Sequence, residues 1–176
     1  MIYKSYVVEQ NIKLLNKSAT LFYGENLGLK KEFIDKIKSI NYEEEIFIFS
    51  QEELIKNKEI IIKQIVNISL FQKNKIFLIN QVNDKLFDIV KEILELIDTQ
   101  KLYLFGDILE KKSKLRNLFE KSKELDVVPC YEDNEISIKK IINDRLRGFQ
   151  GLTPINLNNI LENSSFDRVK LNNELD

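Results

Sequence analysis

Two hydrophobic rhythms alternate along this chain. Short apolar runs rich in Ile, Val, Phe and Tyr are separated by longer stretches in which apolar residues recur every three or four positions. The short runs predict strands at Ala19–Tyr23, Glu45–Phe49, Lys75–Gln81, Lys101–Phe105 and Asp126–Cys130. Between them the periodic stretches predict helices. One carries Leu29, Phe33, Ile37 and Ile40, and a second, opened by the capping box Ser50–Gln51–Glu52–Glu53, carries Leu54, Ile61, Ile65 and Ile68. Asn83 caps a third with Leu86, Val90, Ile93 and Ile97, and a fourth covers Lys112–Glu124 with Leu115, Leu118 and Phe119 facing inward. Strands that alternate with helices in this way build a parallel sheet wrapped by helices.

After the acidic turn Glu132–Asp133–Asn134–Glu135 the strands stop and only helical spacing remains. Ile138, Ile141, Ile142, Leu146 and Phe149 form one face, interrupted at Gly148 and Gly151. Thr153–Pro154 supplies an N-cap and a first-turn proline for a helix with Ile155, Ile160 and Leu161, and a last helix starts near Ser165 or Asp167. The fold class is therefore α/β: a five-stranded parallel sheet with flanking helices over residues 1–134, then a small, incomplete all-helical domain over 135–176.

Composition narrows the chemistry more by what is missing. With no histidine, the usual general base, every Ser/His/Asp or Cys/His arrangement and the commonest metal ligand are gone. The single cysteine, Cys130, sits in the apolar stretch Val127–Tyr131 and reads as a small buried hydrophobe. Paired acids such as Glu43–Glu45 and Glu52–Glu53 fall at turns and caps, where carboxylates are ordinary. No catalytic residue, metal site or cofactor is assigned. A net charge of -1 implies neither nucleic acid nor membrane, and the N-terminus MIYKSYVVEQ lacks the apolar core of a signal peptide, so a cytoplasmic protein is expected.

Three constellations remain. Leu21–Lys31, LFYGENLGLKK, has the strand, glycine turn and helix of a phosphate-binding loop, with Gly24 and Gly28. Leu29, followed by Lys30, stands where such a loop needs its lysine straight after the last glycine. At the end of the third predicted strand Asn80 and Gln81 cannot supply the acid that holds magnesium in an active ATPase. The second constellation, Ser69–Leu70–Phe71, closes a helix before a polar turn, and its apolar pair is either core or a protruding anchor for a partner's pocket. The third is basic: Lys111, Lys112, Lys114 and Arg116, against which a phosphate backbone can lie, though a solvated helix face has the same composition.

In this order, these pieces resemble the delta subunit of bacterial DNA polymerase III, a clamp-loader family. The resemblance is carried by Leu21–Lys31, Ser69–Phe71, Gly106–Arg116, Pro129–Asp133, and near the end Asp167–Arg168 and Leu171–Leu175. It implies an AAA+-like fold with a degenerate P-loop, a helical lid, no ATP hydrolysis, and clamp binding by Leu70 and Phe71 with Ser69 beside them. The implied partners are the sliding clamp (the beta subunit of DNA polymerase III), the other loader subunits, and DNA only within the loader; no membrane is implied. The family's third, collar domain is expected to be absent from this chain. Two rival readings stay open: a divergent P-loop ATPase or nucleotide kinase, and a stand-alone α/β protein-interaction domain.

Overall fold

The computed structural model describes residues 1–66, 74–151 and 153–175. Ile68 and the Ser69–Leu70–Phe71 element lie outside the described residues. Five parallel strands, β1 (Ala19–Tyr23), β2 (Glu45–Ser50), β3 (Lys75–Val82), β4 (Lys101–Gly106) and β5 (Asp126–Pro129), form one sheet in the order β2-β3-β4-β1-β5. Each predicted strand is present, with ends shifted by a residue at most. Apolar runs without polar alternation signal strands buried on both faces, and β1 is buried at every position.

Two cores lie on the two faces of the sheet. On one, α1 (Ser5–Gln10) and α2 (Leu27–Ile40) place Val8, Leu29, Phe33 and Ile37 against Phe22, Leu78, Phe105 and Val128. Phe22 stacks on Phe105 with ring centroids 4.8 Å apart and meets Phe33 at 5.0 Å. On the other, α3 (Gln51–Lys56), α4 (Lys58–Val66), α5 (Phe87–Leu96) and α6 (Lys114–Lys121) bring Leu54, Ile65, Val90, Ile93, Leu115 and Phe119 onto Leu21, Phe77, Ile79 and Leu104.

Helix boundaries depart from the sequence pattern where polar side chains compete with the backbone. The helix expected to run through Leu54, Ile61 and Ile65 is two helices, broken at Asn57, a poor helix former between two lysines. Its capping box is present: Ser50 accepts the Glu53 N–H while the Glu53 carboxylate accepts the Ser50 N–H. Asn83 caps a short 3-10 turn, Asp84–Leu86, rather than α5 itself. α6 is shorter than Lys112–Glu124 because Ser113 caps it, accepting from the Arg116 N–H at 3.1 Å. Asp84 reinforces that cap, accepting from the Ser113 hydroxyl and the Lys114 and Leu115 N–H groups. Burial works to raise the Asp84 carboxyl pKa, but these donors and the Lys114 charge outweigh it, leaving it below the ordinary value.

Beyond β5, α7 (Glu135–Arg145), α8 (Pro154–Ser164) and α9 (Arg168–Leu175) pack around Ile138, Ile142, Leu161 and Leu171, apart from both sheet cores. Phe149 and Ile155, expected on inward faces, are each 71% exposed. α7 ends at Arg145, which puts Phe149 in the turn beyond it, and Ile155 sits on the outer side of the first turn of α8. Ile40, the last residue of α2, is likewise exposed.

Candidate functional site

The loop between β1 and α2 is closed by its own side chains. β1 leads into Gly24 at φ +136°, where a side chain would strike the Cys130 carbonyl. The loop is tied to the ends of the neighbouring strands: Gly24 N–H donates to the Asp107 carbonyl and Asn26 N–H to that of Cys130, both at 3.1 Å. α2 then starts under the Asn26 cap, whose Oδ1 accepts from the Leu29 N–H at 2.9 Å. The same side chain donates to the Tyr131 carbonyl and, at 2.7 Å, to Asp133. A helix N-terminus opens an anion site through free N–H groups, and here the Asn26 cap takes one of them.

Leu29, at the position where a phosphate-binding loop carries its lysine, is a core residue 2% exposed. Lys30, one residue on, turns inward and is 5% exposed. Its Nζ donates to the Gly24 carbonyl at 2.9 Å, the Gly106 carbonyl at 2.8 Å and Asp107 Oδ1 at 3.2 Å, which uses all three ammonium donors. The cation therefore stitches the ends of β1 and β4 together instead of facing a ligand.

Gly28, in the first turn of α2, admits a different neighbour. A Cβ there would lie 2.7 Å from Arg168 Cβ, so the glycine lets α9 settle on α2. Arg168 is 3% exposed and bidentate to Asp133, with Nε to Oδ2 at 2.8 Å and Nη2 to Oδ1 at 2.7 Å. Its Nη1 reaches Glu9 on α1 and Glu32 on α2 at 2.5 and 3.0 Å. Asn172 adds a bond to Glu32, and Ser137 one to Asp133. Burial works to raise the Asp133 pKa, but the Arg168 bonds and charge, with Asn26 and Ser137, hold it below its ordinary value. Arg168 moves the other way: burial opposes its charge, yet the carboxylates keep it more firmly protonated than a free arginine.

A cleft of about 400 Å³ lies over this loop, bordered by Glu25, Leu27, Glu132, Asp133, Phe166 and Arg168. Its acids outnumber its cations, and the one buried arginine is already shared among three carboxylates, so a polyphosphate would meet like charge. At the end of β3, Asn80 is half-buried and Gln81 forms a bulge at φ +60°. Among the described residues no group of three or more His, Cys, Asp or Glu side chains is placed to hold a metal ion. Burial pushes the Cys130 thiol up to about 12, so it is unreactive.

The basic stretch divides. Arg116 lies over the Tyr23 ring, 4.8 Å from its centroid, and donates to Glu120 and the Leu109 carbonyl, each at 2.9 Å. Tyr23 donates its own hydroxyl to Glu120 at 2.8 Å; burial first, then this bond, raises its pKa. Lys111, Lys112 and Lys114 stand in solvent, Lys112 paired with Glu110. The residue that sequence reasoning passed over is Arg168 as a buried tie. Its signal was its spacing, since Arg168 shares a helical face with the apolar Leu171 and Leu175 and must find its partners inside.

With this geometry in place, solved structures supply a context. The chain is similar to the Bacillus subtilis DNA clamp loader delta protein (YqeN), with a TM-score of 0.65 over 97% of this chain and 56% of that one, at 11% identity. It is also similar to Rhizobiales Trip13, with a TM-score of 0.53 over 91% of this chain and 66% of that one, at 9% identity. The fold is AAA+-like. The chain spans a little over half the length of the clamp loader protein it matches. No protein-family model and no curated protein matches the sequence. Among the described residues no helix is long and apolar enough to cross a membrane.

Proposed function

We propose that this chain is a clamp-loader delta-like module that binds the sliding clamp and helps open it during DNA replication without hydrolysing ATP. The observation that carries the reading is Lys30: in an AAA+-like frame, the lysine nearest the phosphate position is spent on the protein's own strand ends. The likeness in fold to a clamp loader delta protein supports the same reading. In this account residues 1–134 form the clamp-binding domain and residues 135–176 the lid that α9 fastens down. Other loader subunits supply the ATP chemistry, and the assembly works in the cytoplasm.

The grip is assigned to Leu70 and Phe71, with Ser69 before them. Burying each apolar side chain in a clamp pocket is worth roughly 1.5 to 3 kcal/mol, so the pair supplies about 3 to 6 kcal/mol. Opening follows only if these side chains bind the sprung form of the clamp better than the closed one, since a ligand shifts an equilibrium by its differential affinity alone. Lys111, Lys112 and Lys114 are the cations offered to DNA within the loader; Arg116 shares that stretch but is engaged with Tyr23 and Glu120. A pull-down with purified sliding clamp tests the reading. The parent chain is retained, and the Leu70→Ala/Phe71→Ala double variant, folded by circular dichroism, is lost. Equal retention of both would refute the site, and retention of neither would refute the function.

A further inference from the structure

Between α5 and α6 runs an open groove of about 520 Å³, lined by Phe87, Lys114, Asn117, Leu118, Lys121 and Ser122. Its floor is apolar: Phe87 and Leu118 are each half-buried, and Leu118 also packs against the sheet core. Its rim is cationic. Lys114 and Lys121 are exposed on α6, two turns apart and so about 10 Å along the helix. Lys91 on α5 and Lys114 on α6 hold their ammonium groups over the Phe87 ring, 6.0 and 5.9 Å from its centroid.

Among the described residues none that lines this groove is acidic. The nearest carboxylates are engaged elsewhere. Asp84 accepts from the Ser113 hydroxyl and the Lys114 and Leu115 N–H groups. Glu92 pairs with Lys58 at 2.6 Å, and Glu120 with Arg116 at 2.9 Å. Asp88 and Glu95 stand about 80 to 100° round α5 from Phe87. A chain whose net charge is only -1 thus sets three lysines around one apolar trough.

We infer that this groove takes an acidic amphipathic helix from a partner protein. Its apolar face would lie on Phe87 and Leu118, and its flanking carboxylates on Lys91, Lys114 and Lys121. Carboxylates two turns apart on such a helix match the spacing of Lys114 and Lys121. A nucleic acid would meet the same cations, but the floor suits it less. Single strands are held by bases stacked on open aromatic faces; here ammonium groups already lie over the Phe87 ring, and its neighbour Leu118 has no ring to offer. A duplex reached through its phosphates leaves the apolar floor uncovered. The inference does not rest on clamp binding by Leu70 and Phe71, and either can fail without the other.

The test is fluorescence anisotropy of a labelled helical peptide of about 15 residues, with leucines on one face and glutamates on both flanks, titrated with the whole chain. Saturable binding is expected, with amide shifts at Asn117, Leu118 and Ser122. Lys91→Glu/Lys121→Glu, at exposed positions, keeps the circular dichroism of the parent and weakens binding by about tenfold or more. Lys31→Glu, an exposed position on α2 across the sheet, binds as the parent does. Glycines in place of the peptide's leucines also cost about tenfold or more. Absence of saturation, equal binding of a peptide with lysines for its glutamates, or unchanged binding by Lys91→Glu/Lys121→Glu would overturn the inference. A thymidine oligomer that shifts the same amides and binds more tightly than the peptide would overturn it too, and assign the groove to nucleic acid.

Discussion

Replacing Arg168 with alanine removes the tie from α9 to α1, α2 and Asp133, and its cost can be worked from the contacts. Four hydrogen bonds go, two to Asp133 and one each to Glu9 and Glu32. Breaking a buried pair by deleting one partner costs about 3–5 kcal/mol, most of it the stranded charge. Here Glu9 and Glu32 keep side-chain exposures of 24% and 33% and can regain water. Asp133, 5% exposed, keeps the Asn26 and Ser137 donors. These escapes favour the lower end, about 3 kcal/mol. With a urea m-value of about 2 kcal/mol/M for a chain of this size, the denaturation midpoint falls by about 1.5 M. Arg168→Lys keeps the charge but loses the fork, and costs about 1.5–3 kcal/mol. Arg147→Ala, which removes an 83% exposed arginine from its pair with Asp144, is the control at under about 0.5 kcal/mol. An Arg168→Ala loss no larger than that control would mean that the Arg168 bonds contribute nothing and that the helical unit is held by apolar packing alone.

Acid titration reads the same network, since the folded Asp133 pKa lies below the unfolded value of about 3.9. The unfolded chain then binds more protons between the two values, so this contribution is complete above about pH 5 and disappears as pH falls through the folded pKa; the stability gap between parent and Asp133→Asn closes below about pH 4. Gly24→Ala forces a side chain into the Cys130 carbonyl at φ +136° and costs at least about 3 kcal/mol, whereas Gly148→Ala, with φ +96° and open space, costs about 1–2 kcal/mol; urea denaturation of the two variants checks the contrast. Lys30→Met strands the Gly24 and Gly106 carbonyls at about 1–3 kcal/mol each, and calorimetric titration with ATP shows no saturable binding in either parent or variant.

The sheet was legible because burial on both faces leaves an unmistakable trace: uninterrupted apolar runs such as Leu21–Tyr23 and Ile76–Ile79 admit little else. Local capping was legible too, in Ser50–Glu53 and Thr153–Pro154, because it depends on neighbours in sequence. Lys30 shows where such reading stops. The glycine turn announces a phosphate-binding loop, and Leu29 announces that the expected lysine is missing, but no local rule says that the next lysine folds back onto Gly106, 76 residues away. Arg168 met partners 35, 136 and 159 residues distant, contacts that only tertiary packing creates. Phe149 failed for the opposite reason: its spacing was helical, but the helix ended before reaching it.

The most direct test of the central claim is the affinity of the purified chain for a sliding clamp, titrated with and without saturating ATP. Binding that ATP leaves unchanged is expected, weakened by Leu70→Ala/Phe71→Ala by about 150-fold or more, the equivalent of at least about 3 kcal/mol. Clamp binding that requires ATP, or that survives the double substitution intact, would contradict that claim.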